Sequence, residues 1–197
     1  MHKFDPANRA RLLSDERRRE LDPLKFLQSN GLSSGMTIAD IGCGPGFFTL
    51  SAAEIVGADG KVYAIDTEEL MLEELKKRNT PGNVTILHSD EHHIPLENYS
   101  CDFALLAFVL HEAKEKGTFL NEAKRLLRVE GRLLLIDWEK KVEERGPPFE
   151  ERVGMEEAAS LVEASGFIIE ERGNLTSSYF TIRARRKEED EQDGGQD

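Results

Sequence analysis

The chain has 197 residues, of which 39% are hydrophobic and 32% are charged, a balance typical of one soluble globular domain. Its formal net charge is −12, and residues 187–197 hold six of the acids against one lysine, so a basic face for DNA, RNA or an anionic membrane is not expected. The sequence has no apolar run of the roughly 18 residues that span a membrane and no apolar signal-peptide core near Met1, which predicts a cytoplasmic protein.

Two short helices are predicted before the first strand, over residues 9–20 and 23–28. Five arginines near the N-terminus alternate with acids, namely Arg9, Arg11, Arg17, Arg18 and Arg19. This alternation favours a solvated helix face over an anion site. We predict a helical lid over residues 1–30, one main domain over 31–186 and a disordered acidic tail over 187–197.

The first predicted strand, 37–41, runs into three alternating glycines, Gly42, Gly44 and Gly46. Glycine lets the backbone turn sharply and approach a ligand closely, which suggests a nucleotide-like ligand at the start of the next helix. An ordinary strand-to-helix turn uses glycine in the same way. A dinucleotide fingerprint needs a further glycine where Phe47 stands, Pro45 removes an N–H donor, and no Lys-Ser/Thr pair follows, so the pattern is neither that fingerprint nor a P-loop.

Short apolar runs then alternate with helical patterns, which predicts an α/β fold. The predicted strands are 37–41, 61–65, 84–88, 102–107 and 132–137, and the predicted helices between them are 47–56, 68–78 and 119–127. A helix over 155–164 precedes two strand-like runs, 167–171 and 179–184. Because no helix separates these last two runs, we expect them to pair as an antiparallel hairpin.

Acidic residues stand where the second and third predicted strands end, at the edge where open parallel sheets bind ligands. Asp66 follows Gly46 by twenty residues, and its carboxylate is suited to accept both ribose hydroxyls. A helix N-terminal carboxylate is the structural alternative for Asp66. Asp90 and the N–H of Glu91 are suited to an adenine ring.

With Asp40, the three glycines, Asp66, Asp90 and the terminal hairpin, residues 37–186 resemble the class I S-adenosylmethionine-dependent methyltransferases. Residues 103–112 and 122–133 are similar to the small-molecule group that includes the ubiquinone and menaquinone C-methyltransferases. The resemblance implies a seven-stranded, mostly parallel Rossmann-like sheet of order 3-2-1-4-5-7-6, with strand 7 antiparallel and helices on both faces. It also implies S-adenosyl-L-methionine as cofactor and a small-molecule methyl acceptor.

The resemblance implies a set of cofactor-binding residues. They are Asp40, Gly42, Cys43, Gly44 and Gly46 for the methionine part, Asp66, Thr67 and Met71 near the ribose, Asp90 and Glu91 at the adenine, and Phe108 and Val109 near the methyl. Cys43 and Cys101 are expected to be packing thiols, since two isolated cysteines form no zinc site and a reducing compartment disfavours a disulfide.

His111 is the candidate general base, because it lies just past the fourth strand and its ordinary pKa is near neutral. A structural capping role beside Glu112 is the alternative. His88, His92 and His93 do not have zinc-ligand spacing, so no metal is expected. Trp138 and the loop over 140–154 are placed near the substrate side, where the loop would cover the site.

Two other functions stay open from the sequence. A catalytically silent protein would bind S-adenosylmethionine without transferring its methyl, and a nicotinamide-dependent oxidoreductase is disfavoured by Phe47 and the hairpin. The sequence identifies neither the acceptor nor the oligomeric state, and a homodimer stays open.

Overall fold

The computed structural model describes residues 12–188, so residues 189–197 of the predicted tail and the start of the predicted helix 9–20 lie outside the described part. The helices are α1 (Asp15–Leu21), α2 (Pro23–Ser29), α3 (Thr49–Val56), α4 (Glu69–Lys76), α5 (Lys116–Leu126) and α6 (Met155–Ala164). The strands are β1 (Thr37–Ile41), β2 (Lys61–Asp66), β3 (Val84–His88), β4 (Cys101–Ala107), β5 (Leu127–Trp138), β6 (Phe167–Asn174) and β7 (Tyr179–Arg186). Single 3₁₀ turns occupy Leu110–Glu112 and Phe149–Glu151.

The seven strands form one sheet of order β3-β2-β1-β4-β5-β7-β6. β1 pairs in parallel with β2 and β4, whereas β7 pairs antiparallel with both β5 and β6. The predicted fold class, strand order and antiparallel seventh strand are therefore confirmed. Parallel neighbours bring the carboxyl ends of β1, β2, β4 and β5 to one edge of the sheet.

Side chains that alternate along the central strands pack on opposite faces of the sheet. Ile38 of β1 and Leu105 of β4 belong to a core with helices α2 and α3, while Ala39 and Leu106 belong to a second core with α5 and α6. Strands buried on both faces read as nearly continuous apolar runs, which is the pattern of the sequence CDFALLA in β4. Helices cover both faces, as expected.

Some boundaries differ from the sequence-based expectation. α1 begins at Asp15, because the side chain of Ser14 accepts from the N–H of Arg17 and caps the helix there. β5 begins at Leu127, five residues early, since the irregular segment before Arg132 is a bulge: Cys101 pairs with Leu127 and Phe103 with Arg132. β6 extends to Asn174, which shortens the hairpin loop.

Within residues 12–188, every helix falls short of the length and apolar character that a membrane crossing requires.

Candidate functional site

A cavity of about 650 Å³ opens at the carboxyl edge of the sheet. Gly42 after β1, Asp66 at the end of β2, Phe108 after β4 and Trp138 at the end of β5 contribute to its wall. This volume lies in the range of small-molecule sites. The strand order places the carboxyl ends of these four strands at one edge of the sheet, which is why the four residues meet at the cavity.

The three glycines after β1 serve different purposes. Gly42 has φ +75°, and a Cβ there would lie 2.3 Å from Cγ1 of Val109, so only glycine lets the loop pass this side chain. A Cβ on Gly46 would lie 2.4 Å from Cδ1 of Leu75 on α4. Gly42 and Gly44 line the cavity, whereas Gly46 packs against α4 and is not part of the lining.

Backbone donors of the glycine loop are bound within the protein. The N–H groups of Gly42 and Cys43 both donate to the carbonyl of Ile65, and the N–H of Gly44 donates to Oδ2 of Asp66 at 2.7 Å. Thr49, the first residue of α3, is fully buried and does not line the cavity. The N–H groups of Gly42, Cys43 and Gly44 are therefore already used within the protein, and the loop contributes to the cavity through the shape of its backbone.

Asp40 lies beneath the loop, almost wholly buried. Its Oδ2 accepts from the hydroxyl of Thr49 at 2.6 Å. Burial, with a further contribution from the charge of Asp66, raises the pKa of Asp40 to about 7 despite the hydrogen bond from Thr49.

Asp66 takes the helix N-terminal role considered from the sequence and also lines the cavity, while its binding of a ribose stays a prediction. Its Oδ2 accepts from Gly44 and its Oδ1 accepts from the N–H of Glu68 at 2.9 Å, which braces the loop and the start of α4. Burial raises the pKa of Asp66. Each carboxylate oxygen has a second lone pair, so the group can still accept from a ligand in the cavity that it lines. Thr67 and Met71 lie on the same wall.

Asp90 and Glu91, which follow β3, also line the cavity. Oδ1 of Asp90 accepts from the N–H groups of His92 and His93 at 2.8 Å each, and these bonds lower the pKa of the exposed carboxyl. Oε2 of Glu91 accepts from the N–H of Lys114 at 3.3 Å.

The remaining histidines of this region do not form a metal site. His92 and His93 are exposed and do not line the cavity, and His88 Nε2 lies 3.0 Å from the carbonyl of Thr67. Across residues 12–188, no group of three His, Cys, Asp or Glu side chains is positioned to hold a metal ion.

Cys43 lines the cavity, but its environment disfavours the reactive thiolate form. Burial, helped by the charges of Asp40 and Asp66, raises the pKa of its thiol well above the ordinary value. Because the thiolate is the nucleophile, this environment suits packing rather than covalent chemistry. Burial also raises the pKa of Cys101, to about 11.

His111 pairs with a buried carboxylate that the sequence did not connect to it. Its Nδ1 lies 2.7 Å from Oδ1 of Asp137, and its backbone N–H donates to Oδ2 of the same residue at 3.1 Å. Asp137 ends the neighbouring strand β5 and is fully buried. Burial alone would lower the pKa of His111, but the charge and hydrogen bond of Asp137, with smaller effects of Glu112 and Glu151, raise it. A carboxylate on Nδ1 leaves Nε2 as the proton-accepting nitrogen.

Phe108 adopts a left-handed backbone, φ 61°, just after β4. Such a conformation in a non-glycine residue is strained by about 1–3 kcal/mol and is typical of functional sites. Its ring packs against Tyr179, with centroids 5.0 Å apart, and against Trp138 at 6.0 Å. These rings and Val109 give the cavity an apolar side.

Arg17 departs from the predicted solvated face. Its guanidinium carbon lies 4.8 Å from the ring centroid of Phe47 and 4.7 Å from that of Phe108, and the residue lines the cavity. Arg18 and Arg19 are exposed as expected, while Arg9 and Arg11 lie outside the described residues. The spacing of four between Leu13, Arg17 and Leu21 is the sequence signal that places Arg17 on the inner face of α1.

Two segments approach each other over the cavity. Glu16 and Glu20 of α1 line one side, and Arg145 and Pro147 of the loop 140–154 line the other. Nη2 of Arg145 lies 2.9 Å from Oε1 of Glu20, which ties the loop to α1. The loop 140–154 therefore lies at the cavity, on the side where the sequence placed it, while its role as a cover and the limits of a lid domain at residue 30 stay predictions.

Buried Arg152 organises the loop 140–154. Its guanidinium donates to the carbonyls of Pro147, Arg145 and Glu139 and to Oε2 of Glu143. It also lies 5.1 Å from the ring centroid of Trp138. The loop is therefore built around one cation and packed on the end of β5.

Comparison with known proteins identifies relatives of this architecture. Residues 39–135 match the family described as a methyltransferase domain. A demethylmenaquinone methyltransferase of Staphylococcus aureus is 30% identical over 114 residues, which are 57% of this chain and 47% of that protein. The chain thus spans about half the length of the curated relatives it matches.

Solved structures match over nearly the whole chain. A SAM-dependent methyltransferase from Aquifex aeolicus is 36% identical with a TM-score of 0.87, covering 93% of this chain and 99% of that one. The [4+2]-cyclase SpnF has a TM-score of 0.74 at 17% identity, over 86% of this chain and 80% of that one, a likeness of fold alone.

Proposed function

The chain belongs to the class I S-adenosylmethionine-dependent methyltransferases, whose cofactor is S-adenosylmethionine, and we propose that it transfers the cofactor's methyl group to a small-molecule acceptor bound in the cavity at the carboxyl edge of the sheet. The observation that carries the proposal is that His111, on the wall of that cavity, is paired through Nδ1 with the buried carboxylate of Asp137 behind it.

The residues present fit the cofactor. Gly42 and Gly44 line the cavity without side chains, so the backbone of the loop borders the space that the methionine part would occupy. Asp66 retains lone pairs for two hydroxyl donors. The cavity of about 650 Å³ has room for the cofactor and a modest acceptor.

Each part of the cofactor has candidate partners in this arrangement. Asp66, with Thr67 and Met71 beside it, would hold the ribose, and Asp90 and Glu91 would bind the adenine. The loop segments of Gly42, Cys43 and Gly44 would lie along the methionine part. Asp40 lines the cavity at the base of the loop and would lie beside the methionine part, whereas Gly46 is outside the lining and would act by supporting the shape of the loop.

When bound, S-adenosylmethionine supplies a sulfonium methyl that a nucleophile attacks in line. Asp137 holds the Nδ1–H of His111, so that Nε2 accepts the proton that the acceptor's O, N, S or C loses during the transfer. Phe108, Val109 and Trp138 exclude water from the path of the methyl.

The covering segments support a small acceptor. The ion pair between Glu20 and Arg145 joins α1 to the loop 140–154, and both residues line the cavity. A macromolecular acceptor would require this ion pair to break. A small molecule that fits in the part of the cavity not filled by the cofactor would not.

A labelled-methyl screen tests the proposal. The protein is incubated with S-adenosylmethionine carrying a ¹³CD₃ methyl and a cell metabolite extract, and mass spectrometry identifies any compound that gains the label. We expect one product family with the wild type and a drop of at least about 100-fold in its rate with His111→Gln. His93→Gln is the matched control, since His93 does not line the cavity.

Saturable cofactor binding without a labelled product from a broad extract would contradict methyl transfer. It would select the alternative considered from the sequence, a protein that keeps this fold and binds the cofactor without catalysis.

A further inference from the structure

Arg17 turns its charged end toward the cavity rather than toward solvent. The guanidinium lies between the rings of Phe47, which follows the glycine loop, and Phe108, which follows β4. Stacking on two aromatic faces fixes the plane of the guanidinium at low entropic cost. The side chain is therefore held in one orientation before any ligand binds.

The guanidinium has no hydrogen-bond acceptor among residues 12–188. The hydrogen bond between Arg17 and Ser14 involves the backbone N–H of Arg17, which donates to the Ser14 hydroxyl oxygen. Burial lowers the pKa of Arg17 to about 10, although the charges of Tyr179 and Glu20 act in the opposite direction. The group still carries its charge at neutral pH. Arg17 is partly buried, and a partly buried cation whose guanidinium has no acceptor among the described residues is costly unless a partner binds.

The neighbouring charges limit what that partner is. Arg145, the other arginine on the cavity wall in residues 12–188, is paired with Glu20 at 2.9 Å. Glu16 also lines the cavity close to Arg17 along α1. One unpaired cation beside carboxylates suits a singly charged, planar anion better than a phosphate dianion, and a guanidinium fork matches a carboxylate with two parallel hydrogen bonds.

We propose, resting on the proposed function, that Arg17 binds the carboxylate of a ligand in the cavity. Two ligands could carry that group: the methionine part of the cofactor, or the methyl acceptor. The chemistry is the same for both sources, and binding measurements separate them.

The experiment measures binding rather than turnover. Calorimetry compares the wild type, Arg17→Gln and Arg17→Lys with S-adenosylhomocysteine, which has the amino-acid carboxylate, and with 5′-methylthioadenosine, which lacks it. Benzoate and benzamide are then titrated into the protein saturated with S-adenosylhomocysteine. Arg19→Gln is the matched control, because Arg19 lies on the same helix and is exposed.

If the cofactor supplies the carboxylate, Arg17→Gln weakens S-adenosylhomocysteine by about 10- to 100-fold and leaves 5′-methylthioadenosine unchanged. If the acceptor supplies it, S-adenosylhomocysteine binds as in the wild type, and a preference of the wild type for benzoate over benzamide disappears in Arg17→Gln. In either case the affinity of Arg17→Lys should lie between those of the wild type and Arg17→Gln, because lysine keeps the positive charge but lacks the two parallel N–H donors of the guanidinium.

Equal losses for both nucleosides would mean that Arg17 only supports the cavity wall, and unchanged binding of every probe would remove any role for it; both results overturn the inference. The proposed function is tested separately by methyl transfer. A protein that recognises the carboxylate through Arg17 and transfers no methyl would leave this inference standing.

Discussion

At the scale of single residues, the site depends on pairs that the chain brings together from distant positions. His111 and Asp137 are 26 residues apart, and their contact exists because β4 and β5 are parallel neighbours whose exits meet at one edge. The sequence identified His111 as a candidate base, and Asp137 is the last residue of the predicted strand 132–137. It could not join them, because the pairing follows from the sheet register and not from local spacing.

Replacing Asp137 by Asn should change the pH dependence of methyl transfer. The charge of Asp137 holds the pKa of His111 above its ordinary value against the effect of burial, so the wild-type rate should rise with pH through a point above about 6.5. In Asp137→Asn we expect this rise to move to lower pH, because the charge of the carboxylate is lost. We expect kcat to fall by about 100-fold or more, because Asn has one acceptor oxygen for the three groups that Asp137 binds and its NH₂ favours the wrong tautomer of His111. The measurement is kcat against pH with the acceptor found in the labelled-methyl screen.

Asp59→Asn is the matched control for this profile, since Asp59 is exposed and far along the chain from both residues. If kcat rises with pH over the same range in Asp137→Asn as in the wild type, Asp137 does not set the pKa of the base.

Gly42→Ala should be destabilising. The alanine Cβ would meet Val109 at 2.3 Å in a backbone with φ +75°, so the loop must shift or strain by about 1–3 kcal/mol. Chemical denaturation should report that loss, and calorimetry should report weaker S-adenosylhomocysteine binding.

Gly82→Ala is the control, because nothing lies within 4 Å of the added Cβ and its φ is not in the left-handed region. Its free energy of unfolding should stay within about 0.5 kcal/mol of the wild type. Equal stability and affinity for Gly42→Ala would mean that the loop does not need glycine there.

At the scale of elements, the loop 140–154 is the part whose behaviour depends most on charge. Glu143 accepts from the hydroxyl of Ser178 at 2.6 Å and from Nη1 of Arg152 at 2.9 Å, and lies 2.9 Å from Nζ of Lys141. Burial alone would raise the pKa of Glu143, but these hydrogen bonds outweigh it and lower the pKa to about 2. The carboxylate therefore ties the loop to the β6–β7 turn.

Acid should loosen this loop. Because the pKa of Glu143 is lower in the folded protein than the ordinary 4.5, its stabilisation is complete above about pH 4.5 and is lost as pH falls toward 2. Trp138 is the chain's single tryptophan and packs against Arg152 of the loop, so its fluorescence reports loop docking. We expect a fluorescence change in that pH window, with far-UV circular dichroism recorded alongside to separate it from global unfolding.

Glu143→Gln should show a loosened loop already at pH 7 and a smaller acid transition, whereas the exposed neighbour variant Glu144→Gln should behave as the wild type. The same acid transition in Glu143→Gln and the wild type would rule out this tether.

Element boundaries were predictable where an apolar run ends in glycine, proline or a charged residue. β1 and β3 have the predicted limits: Gly42 follows β1 directly, and Pro81 and Gly82 lie just before β3. The early start of β5 was not predictable, since residues 128–131 form a bulge that depends on pairing with β4. Arg17 was assigned to solvent because its charged neighbours dominate the pattern, although its spacing from Leu13 and Leu21 indicated the inner face.

At the scale of the whole molecule, the alternation of strands and helices was enough to predict an α/β fold, and the resemblance to the class I methyltransferases supplied the strand order. The sequence also placed an N-terminal helical lid and the loop 140–154 near the site. It could not predict the contacts between α1 and that loop, such as those of Glu20 with Arg145 and of Glu20 with Tyr179, because they join residues far apart in the chain. The sequence therefore predicted more of the residues on the candidate cofactor side of the cavity than on the side proposed for the methyl acceptor.

Calorimetry with S-adenosylhomocysteine tests the central claim that the carboxyl edge of this sheet is the cofactor site. The wild type should bind one equivalent saturably, Asp66→Ala should bind at least about 10-fold more weakly, and Asp59→Ala should match the wild type, since Asp59 is exposed and outside the cavity lining. No saturable binding by the wild type, or the same affinity in Asp66→Ala, would contradict it.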